Sequence, residues 1–153
     1  MNDWIIAEAV HKFKTPFYLY SEKDLITAIQ LLTDTLPETA QLFYSLKANP
    51  NLEIIKLMRE HQIAAEVSSI GEIMAALKAE MTPENIIFSG PGKRTEELCY
   101  AIENGIFCIN AESLDEILMI NEIGKAKNVI VNVAIRVNPS FNVTKTAIKM
   151  TGV

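Results

Sequence analysis

One lysine stands at a position where an amine could do covalent chemistry. Lys47 ends the apolar run 41–46 and precedes the turn-forming residues 48–51. A lysine at the mouth of a sheet can be partly desolvated, which disfavours its charged form. The neutral amine is the nucleophile that forms a Schiff base with an aldehyde or another carbonyl compound. A strand-end lysine that points into water has the same local sequence, so these residues alone leave both interpretations open.

Other polar residues also follow predicted strands, where parallel α/β folds gather their functional groups. They include a carboxylate, a guanidinium and several hydrogen-bonding groups. Together with the amine of Lys47, such a set suits an anionic ligand bound beside an amine. The residues at these strand ends are Lys47, Glu66, Ser89 with Gly90, Asn110, and Arg136 with Asn138.

The elements that must position these residues alternate along the chain. Apolar runs rich in β-branched and aromatic residues predict strands whose starts recur roughly every 22 residues, as in βα units. Nearly continuous apolar runs are typical of parallel strands covered on both faces. We also predict a helix near 3–12, a strand at Phe17–Tyr20 and a helix from Ser21 to about Thr35, all within one continuous domain. The five βα strands are predicted at about 41–46, 63–67, 86–88, 106–109 and 129–137.

Polar residues and glycines mark the ends of the predicted helices. Asn51, Ser69 and Ser113 are expected to cap helix N-termini. The two serines are each followed by a glutamate three residues later, which fits a capping box. Gly105 and Gly124 lie where the helices that follow Thr95 and Ser113 are expected to end.

Two α/β architectures are compatible with this alternation. A doubly wound sheet that binds a dinucleotide has a glycine-rich turn after its first strand, but residues 47–50 contain no glycine. A (β/α)8 barrel needs eight strands and typically about 250 residues, whereas this chain has 153. We therefore predict an α/β fold with an incomplete (β/α)8 TIM-type barrel of about five parallel strands.

Composition excludes several classes of function. The net charge of -5 provides no basic stripe for nucleic acid. No run reaches the ~18 apolar residues that a membrane helix needs, and no signal peptide is visible. Cys99 and Cys108 form no close-spaced pair, so neither a disulfide framework nor a metal site is expected. We expect a cytoplasmic protein that binds neither nucleic acid nor membrane.

Six ordered segments resemble one enzyme group. Tyr44-Ser45-Leu46-Lys47-Ala48-Asn49 is similar to the cofactor-lysine motif of the alanine-racemase-like, fold-type III pyridoxal phosphate enzymes. Within that group the resemblance is strongest to the diaminopimelate, ornithine and arginine decarboxylases. The other matching segments, in chain order, are 15–20 (TPFYLY), 66–72 (EVSSIGE), 86–93 (IIFSGPGK), 110–113 (NAES) and 136–139 (RVNP).

The resemblance implies specific roles for four residues. Lys47 would form the Schiff base with pyridoxal 5'-phosphate, and Glu66 would lie near it. Ser45 and Arg136 match positions that line the cofactor pocket. The implied reaction is decarboxylation of a small-molecule amino acid, and the implied assembly is a homodimer.

The family pattern continues beyond residue 153, so the resemblance implies that this chain is the N-terminal portion of a cofactor-binding barrel. We expect it to be inactive by itself, because the family's phosphate-holding segments lie further along. The strands at 41–46 and 129–137 would border an open sheet, and we expect an isolated 1–153 fragment to self-associate through them.

The sequence leaves open more than one substrate and more than one activity. Diaminopimelate decarboxylases often carry a histidine in the stretch that corresponds to 140–150, which has none here, and residues 149–152 (KMTG) look closer to enzymes that act on carrier-protein-bound amino acids. A racemase on the same fold usually follows its lysine with Ala-Asp-Ala-Tyr-Gly, unlike the residues after Lys47. A non-catalytic homologue with a regulatory or binding role is the third interpretation.

Overall fold

The computed structural model describes residues 3–137, which fall into two compact units divided between Ala40 and Gln41. The sequence predicted one continuous domain. Because the described residues fall into two units, each unit is described by itself. The first contains the two predicted helices, α1 (Asp3–Phe13) and α2 (Glu22–Thr35). Helix α2 begins after Ser21, whose hydroxyl accepts a hydrogen bond from a backbone N–H in the first turn. None of the helices within residues 3–137 is long and apolar enough to cross a membrane.

The predicted strand at Phe17–Tyr20 is wrong. These residues adopt no strand structure and pair with none of the strands of the described chain. The prediction rested on aromatic composition, but a strand exists only where a neighbour accepts its backbone hydrogen bonds. The side chains of Tyr18 and Tyr20 are exposed and stack on each other, with ring centroids 6.4 Å apart.

The second unit contains all five predicted βα strands. They form one parallel sheet in the order β1-β2-β3-β4-β5. The last strand is shorter than predicted, because Val129 N–H still bonds to Gly124 O at the end of the preceding helix. The strands are β1 (Phe43–Ser45), β2 (Ala64–Val67), β3 (Ile86–Phe88), β4 (Cys108–Ala111) and β5 (Val133–Ile135). The helices between them are α3 (Leu52–Glu60), α4 (Ile70–Lys78), α5 (Thr95–Glu103) and α6 (Leu114–Lys127), with a 3-10 turn at Pro83–Asn85.

The strand order distinguishes the two architectures that the sequence left open. In a doubly wound sheet the order in which strands are added reverses next to the first strand. The first strand therefore lies inside the sheet. In this chain β1 is an edge strand, and each later strand is added on the same side. Sequential addition is the arrangement of a (β/α)8 barrel. The predicted incomplete barrel with five parallel strands is therefore confirmed.

The two faces of the sheet carry different residues, because side chains alternate along a strand. One set of alternate positions is buried and packs with the helices in an apolar core. The other set places Ser45, Glu66 and Asn110 on the opposite face. The strand residues in the core include Leu46, Ala65, Val67, Ile86, Phe88, Ile109 and Ala111.

The predicted helix starts are confirmed. Side-chain oxygens of Asn51, Ser69 and Ser113 accept hydrogen bonds from backbone N–H groups in the following turn, at 2.9, 3.3 and 3.2 Å. Each bond satisfies a donor that the first turn of a helix leaves without a partner. These short-range caps end the strand-to-helix loops at defined residues.

The capping boxes differ from the prediction in their second half. Glu72 accepts a hydrogen bond from Ser68 N–H at 2.8 Å, and Glu116 accepts one from Glu112 N–H at 2.9 Å. Both donors lie one residue before the N-cap, so each carboxylate also closes the loop that leaves the strand. The carboxyl edge of the sheet is therefore tied directly to the helix starts.

Only one of the two glycines ends a helix. Gly105 follows α5 with a φ of +66°, as predicted. Gly124 is buried inside α6, which continues to Lys127 and ends at Asn128 in the left-handed region. A Cβ at Gly124 would lie 3.1 Å from the carbonyl oxygen of Val129. Glycine therefore permits a close approach of the returning chain rather than a helix stop.

Candidate functional site

The carboxyl ends of four neighbouring strands surround a polar cavity of about 240 Å³. In a parallel sheet these ends lie at one edge, where α/β folds place their functional groups. Two of the four predicted site residues, Glu66 and Arg136, line the cavity, whereas Ser45 and Lys47 do not. The lining residues are Glu66, Ser89, Asn110, Glu112, Ala134, Ile135 and Arg136.

Two hydrogen bonds between neighbouring strand ends hold the polar groups of this cavity. Asn110 Nδ2 donates to Ser89 Oγ at 2.8 Å. Arg136 Nη1 donates to Glu112 Oε1 at 3.1 Å, which forms an ion pair. The sequence prediction stopped at Asn110 and missed Glu112 as a cavity residue. Because alternate residues share a face, extending the same argument two residues past Asn110 would have found it.

Ser45 lies directly opposite Glu66 on the neighbouring strand. The Ser45 hydroxyl oxygen is buried and has no hydrogen-bond partner among the described residues. A buried hydroxyl without a partner is costly, so such groups commonly bind a ligand or water. Ser45 therefore offers a donor and an acceptor to a molecule at this edge of the sheet.

Lys47 lies in the turn after β1, two residues beyond Ser45. The hydroxyl of Tyr44 donates a hydrogen bond to the carbonyl of Asn49 at 3.0 Å and so braces this turn. The sequence left open whether Lys47 is partly desolvated or points into water, and within the described residues the side chain is exposed. Since β1 is an edge strand of the described sheet, a neighbouring strand covers it on one side only. Within residues 3–137, Lys47 forms no ion pair, and its amine is accessible to a ligand.

Cys108 lies at the start of β4, at the opposite end of the strand from the cavity. Cys108 is half-buried on β4, and burial raises the pKa of its thiol, only partly opposed by the Ala134 N–H. The thiol is therefore mostly protonated at neutral pH and a weak nucleophile. No group of three or more histidine, cysteine, aspartate or glutamate side chains within residues 3–137 could hold a metal ion.

Curated relatives are similar to this chain over most of its length. The chain is 46% identical over 150 residues to the L-glutamyl-[BtrI acyl-carrier protein] decarboxylase of Niallia circulans, covering 97% of this chain and 35% of the relative. It is 40% identical over 136 residues to the diaminopimelate decarboxylase of Bacteroides thetaiotaomicron, covering 85% and 35%. The chain thus spans about a third of the length of these relatives.

A solved structure agrees with the fold. The crystal structure of diaminopimelate decarboxylase from Helicobacter pylori complexed with L-lysine superposes with a TM-score of 0.85 at 35% identity. The match covers 92% of this chain and 36% of the crystallised chain. The partial α/β barrel is therefore the fold of these decarboxylases.

A protein-family model matches most of the chain. Residues 22–153 match the model described as "Pyridoxal-dependent decarboxylase, pyridoxal binding domain". The cofactor that this family implies, pyridoxal 5'-phosphate, has an aldehyde, ring substituents and a phosphate that need an amine and polar partners. The exposed amine of Lys47, the unpaired buried hydroxyl of Ser45 and the guanidinium of Arg136 fit those needs. The chain belongs to the fold-type III pyridoxal-dependent decarboxylases, and residues 22–153 match their pyridoxal-binding domain.

Proposed function

We propose that this chain supplies the cofactor lysine and part of the active site of a pyridoxal phosphate-dependent amino-acid decarboxylase. The observation that carries the proposal is the unpaired, buried hydroxyl of Ser45, which lies opposite Glu66 and two residues before the exposed amine of Lys47. The family match and the decarboxylase names of the relatives support it.

When bound, pyridoxal 5'-phosphate supplies an aldehyde that condenses with amines and a ring that accepts the electron pair left when a carboxylate departs as carbon dioxide. Lys47 would be the amine that binds the aldehyde of this cofactor. The same amine would be placed to carry a proton to or from the substrate carbon. The exposed position of Lys47 gives it the access that both steps need.

The other three predicted residues bind and orient. The hydroxyl of Ser45, which has no partner among the described residues, would donate a hydrogen bond to the cofactor, and that bond would remove the cost of its burial. Glu66 holds a carboxylate between Ser45 and the cavity, where it can bind a protonated group on the cofactor or substrate. Arg136 presents a guanidinium to anionic groups, and Glu112 limits the directions that it can take.

The substrate is an amino acid, either free or bound to a carrier protein. The Bacteroides relative is named for diaminopimelate and the Niallia relative for a glutamyl group on an acyl-carrier protein. Residues 140–150, on which the sequence argument about substrate rests, and Asn138 lie outside the described residues. The homodimer, the cytoplasmic location, the inactivity of residues 1–153 alone and the portion of barrel assigned to them stay predictions.

Covalent labelling tests the role of Lys47. The full-length gene product is incubated with pyridoxal 5'-phosphate, reduced with borohydride, digested and analysed by mass spectrometry. We expect the reduced cofactor on Lys47, no label at that site in Lys47→Ala, and normal labelling in the control Lys125→Ala, an exposed lysine on α6. Labelling of a different lysine in the wild-type protein would contradict the role of Lys47.

Product analysis tests the reaction. Carboxyl-labelled diaminopimelate and a carrier-bound glutamyl group are offered separately, and release of labelled carbon dioxide is measured together with optical rotation. We expect carbon dioxide from one of the two, and none from Lys47→Ala. Inversion of configuration without carbon dioxide would identify a racemase, and cofactor binding with neither product would identify a non-catalytic homologue, so either result would overturn the proposal.

A further inference from the structure

We propose that a buried ion pair between Lys93 and Glu116 positions the polar side chains of the cavity, an inference whose catalytic part rests on the proposed function. The side chain of Lys93 is 1% exposed and that of Glu116 is 6% exposed. Lys93 lies in the loop after β3, and Glu116 lies in the first turn of α6. Neither was singled out as a site residue from the sequence.

The ammonium of Lys93 uses all three of its hydrogens. It donates to the carbonyl oxygens of Gly90 at 2.8 Å and Asn110 at 2.7 Å, and to Glu116 Oε2 at 3.1 Å. A lysine ammonium has three donors and no acceptor, so none of its hydrogens is left without a partner. Lys93 therefore joins the loop after β3 to the end of β4.

The carboxylate of Glu116 extends the same network. Its Oε1 accepts a hydrogen bond from the backbone N–H of Lys93 at 3.3 Å, and its Oε2 accepts one from the backbone N–H of Glu112 at 2.9 Å. The backbone of Glu112 is thereby held to the start of α6. The Lys93–Glu116 pair thus holds the backbone at Gly90, Asn110 and Glu112.

Apart from the N–H of Lys93 itself, the backbone groups that the pair holds belong to the cavity residues Asn110 and Glu112 and to Gly90, the neighbour of Ser89. Gly90 follows Ser89, which accepts the hydrogen bond from the Asn110 side chain. Glu112 carries the carboxylate that binds Arg136. The two side-chain bonds that arrange the cavity therefore share one buried anchor.

A buried ion pair is weak evidence for a purely stabilising role. Burying two charges costs desolvation, and apolar residues of similar volume often stabilise a protein as well or better. Side chains that hold a functional group in place depend on supporting hydrogen bonds of this kind. A positioning role accounts for both the burial and the choice of partners.

The main test is the double variant Lys93→Met/Glu116→Gln in the full-length protein. Removing one charge alone would leave the other buried and unpaired, whereas the double variant is neutral and keeps an amide oxygen for Glu112 N–H. The matched control is Lys125→Met/Glu122→Gln, which removes an exposed ion pair of 2.9 Å from the same helix. For each variant we measure cooperative unfolding, kcat, KM and the resonances of the Asn110 side-chain amide.

We expect the double variant to fold, to shift the Asn110 resonances and to lose at least about tenfold in kcat, since small displacements of positioning groups have effects of this size. KM should change less, and the control should match the wild type. Asn110→Ala should lower kcat in the wild type but not further in the double variant, because the two changes act through one group. A folded double variant with wild-type kcat and Asn110 resonances would overturn the inference.

Two arrangements keep the test decisive. If the double variant does not fold, Lys93→Arg replaces it, because a planar guanidinium keeps the charge but cannot direct its donors to the same three oxygens. Unchanged kcat and Asn110 resonances in Lys93→Arg would likewise contradict positioning. If the wild-type protein neither binds the cofactor nor releases carbon dioxide, the proposed function fails, and the Asn110 resonances alone decide the inference.

Discussion

Glu112 and Arg136 form an ion pair across neighbouring strand ends, with Arg136 Nη1 3.1 Å from Glu112 Oε1. The two residues are 24 positions apart in the chain. They meet because β4 and β5 are parallel and in register, with Ala111 opposite Ile135. The pair belongs to the cavity that also contains Glu66.

Arg136→Gln should weaken cofactor binding more than Glu112→Gln does. A hydrogen bond to a charged group contributes about 1.5–3 kcal/mol, so loss of the guanidinium should raise the pyridoxal phosphate dissociation constant at least about tenfold. Glu112→Gln keeps an acceptor oxygen and should raise it less. Because Arg136 is 46% exposed, Arg136→Gln should alter the free energy of unfolding by less than about 1 kcal/mol. Cofactor titration followed by absorbance would measure both constants, and the reverse order would contradict the role of Arg136.

Ser45→Ala should have opposite effects on the free and the cofactor-bound protein. Removal of a buried hydroxyl that has no partner should raise the free energy of unfolding of the cofactor-free protein, by up to about 1 kcal/mol. The same change should weaken cofactor binding. The control Ser69→Ala removes the N-cap of α4 and should cost about 1 kcal/mol. Urea unfolding of the cofactor-free protein measures the stability of Ser45→Ala and of Ser69→Ala. A destabilised Ser45→Ala would show that the hydroxyl has a partner in solution.

Glu97 should make stability depend on pH. The pKa of its carboxyl lies below the ordinary value, chiefly because it accepts a hydrogen bond from Arg94 N–H at 3.1 Å, helped by one from Ile70 N–H. A lowered folded-state pKa stabilises the protein above the unfolded-state pKa, and that stabilisation is lost as the pH falls through the folded-state pKa.

Glu97→Gln should therefore reduce the free energy of unfolding at pH 7, and the difference from wild type should shrink in acid, below the unfolded glutamate pKa of about 4.3. The control Glu96→Gln changes an exposed carboxylate on the same helix. Urea unfolding between neutral and acidic pH measures the difference. A constant difference over that range would show that the hydrogen bonds do not depend on the charge of Glu97.

Gly124→Ala and Gly71→Ala should change stability in opposite directions. Both glycines are helical, and alanine is normally better in a helix by about 1 kcal/mol. A Cβ at Gly71 would have its nearest neighbour at 3.8 Å, so Gly71→Ala should stabilise. A Cβ at Gly124 would lie 3.1 Å from the Val129 carbonyl, whose residue is held by its own N–H bond to Gly124 O. Thermal unfolding compares the two, and stabilisation by Gly124→Ala would show that the returning chain can move away.

Local features were predictable from the sequence. The caps at Asn51, Ser69 and Ser113 depend on residues within one helical turn, and the structure confirms them. The five βα strands were found because each is a short apolar run between helical patterns. The predicted strand at Phe17–Tyr20 and the predicted helix end at Gly124 were wrong for the same reason. In both cases the structure depends on contacts with residues outside the local sequence pattern.

The sequence by itself determined the alternation of strands and helices, the presence of Lys47 at a strand end and the family motifs around it. Only the tertiary structure decided the strand order, the exposure of Lys47, the unpaired hydroxyl of Ser45 and the burial of Lys93 with Glu116. The physical reason is range. Caps and periodicity act over a few residues, whereas burial and ion pairing depend on which strand ends the parallel sheet brings to one edge.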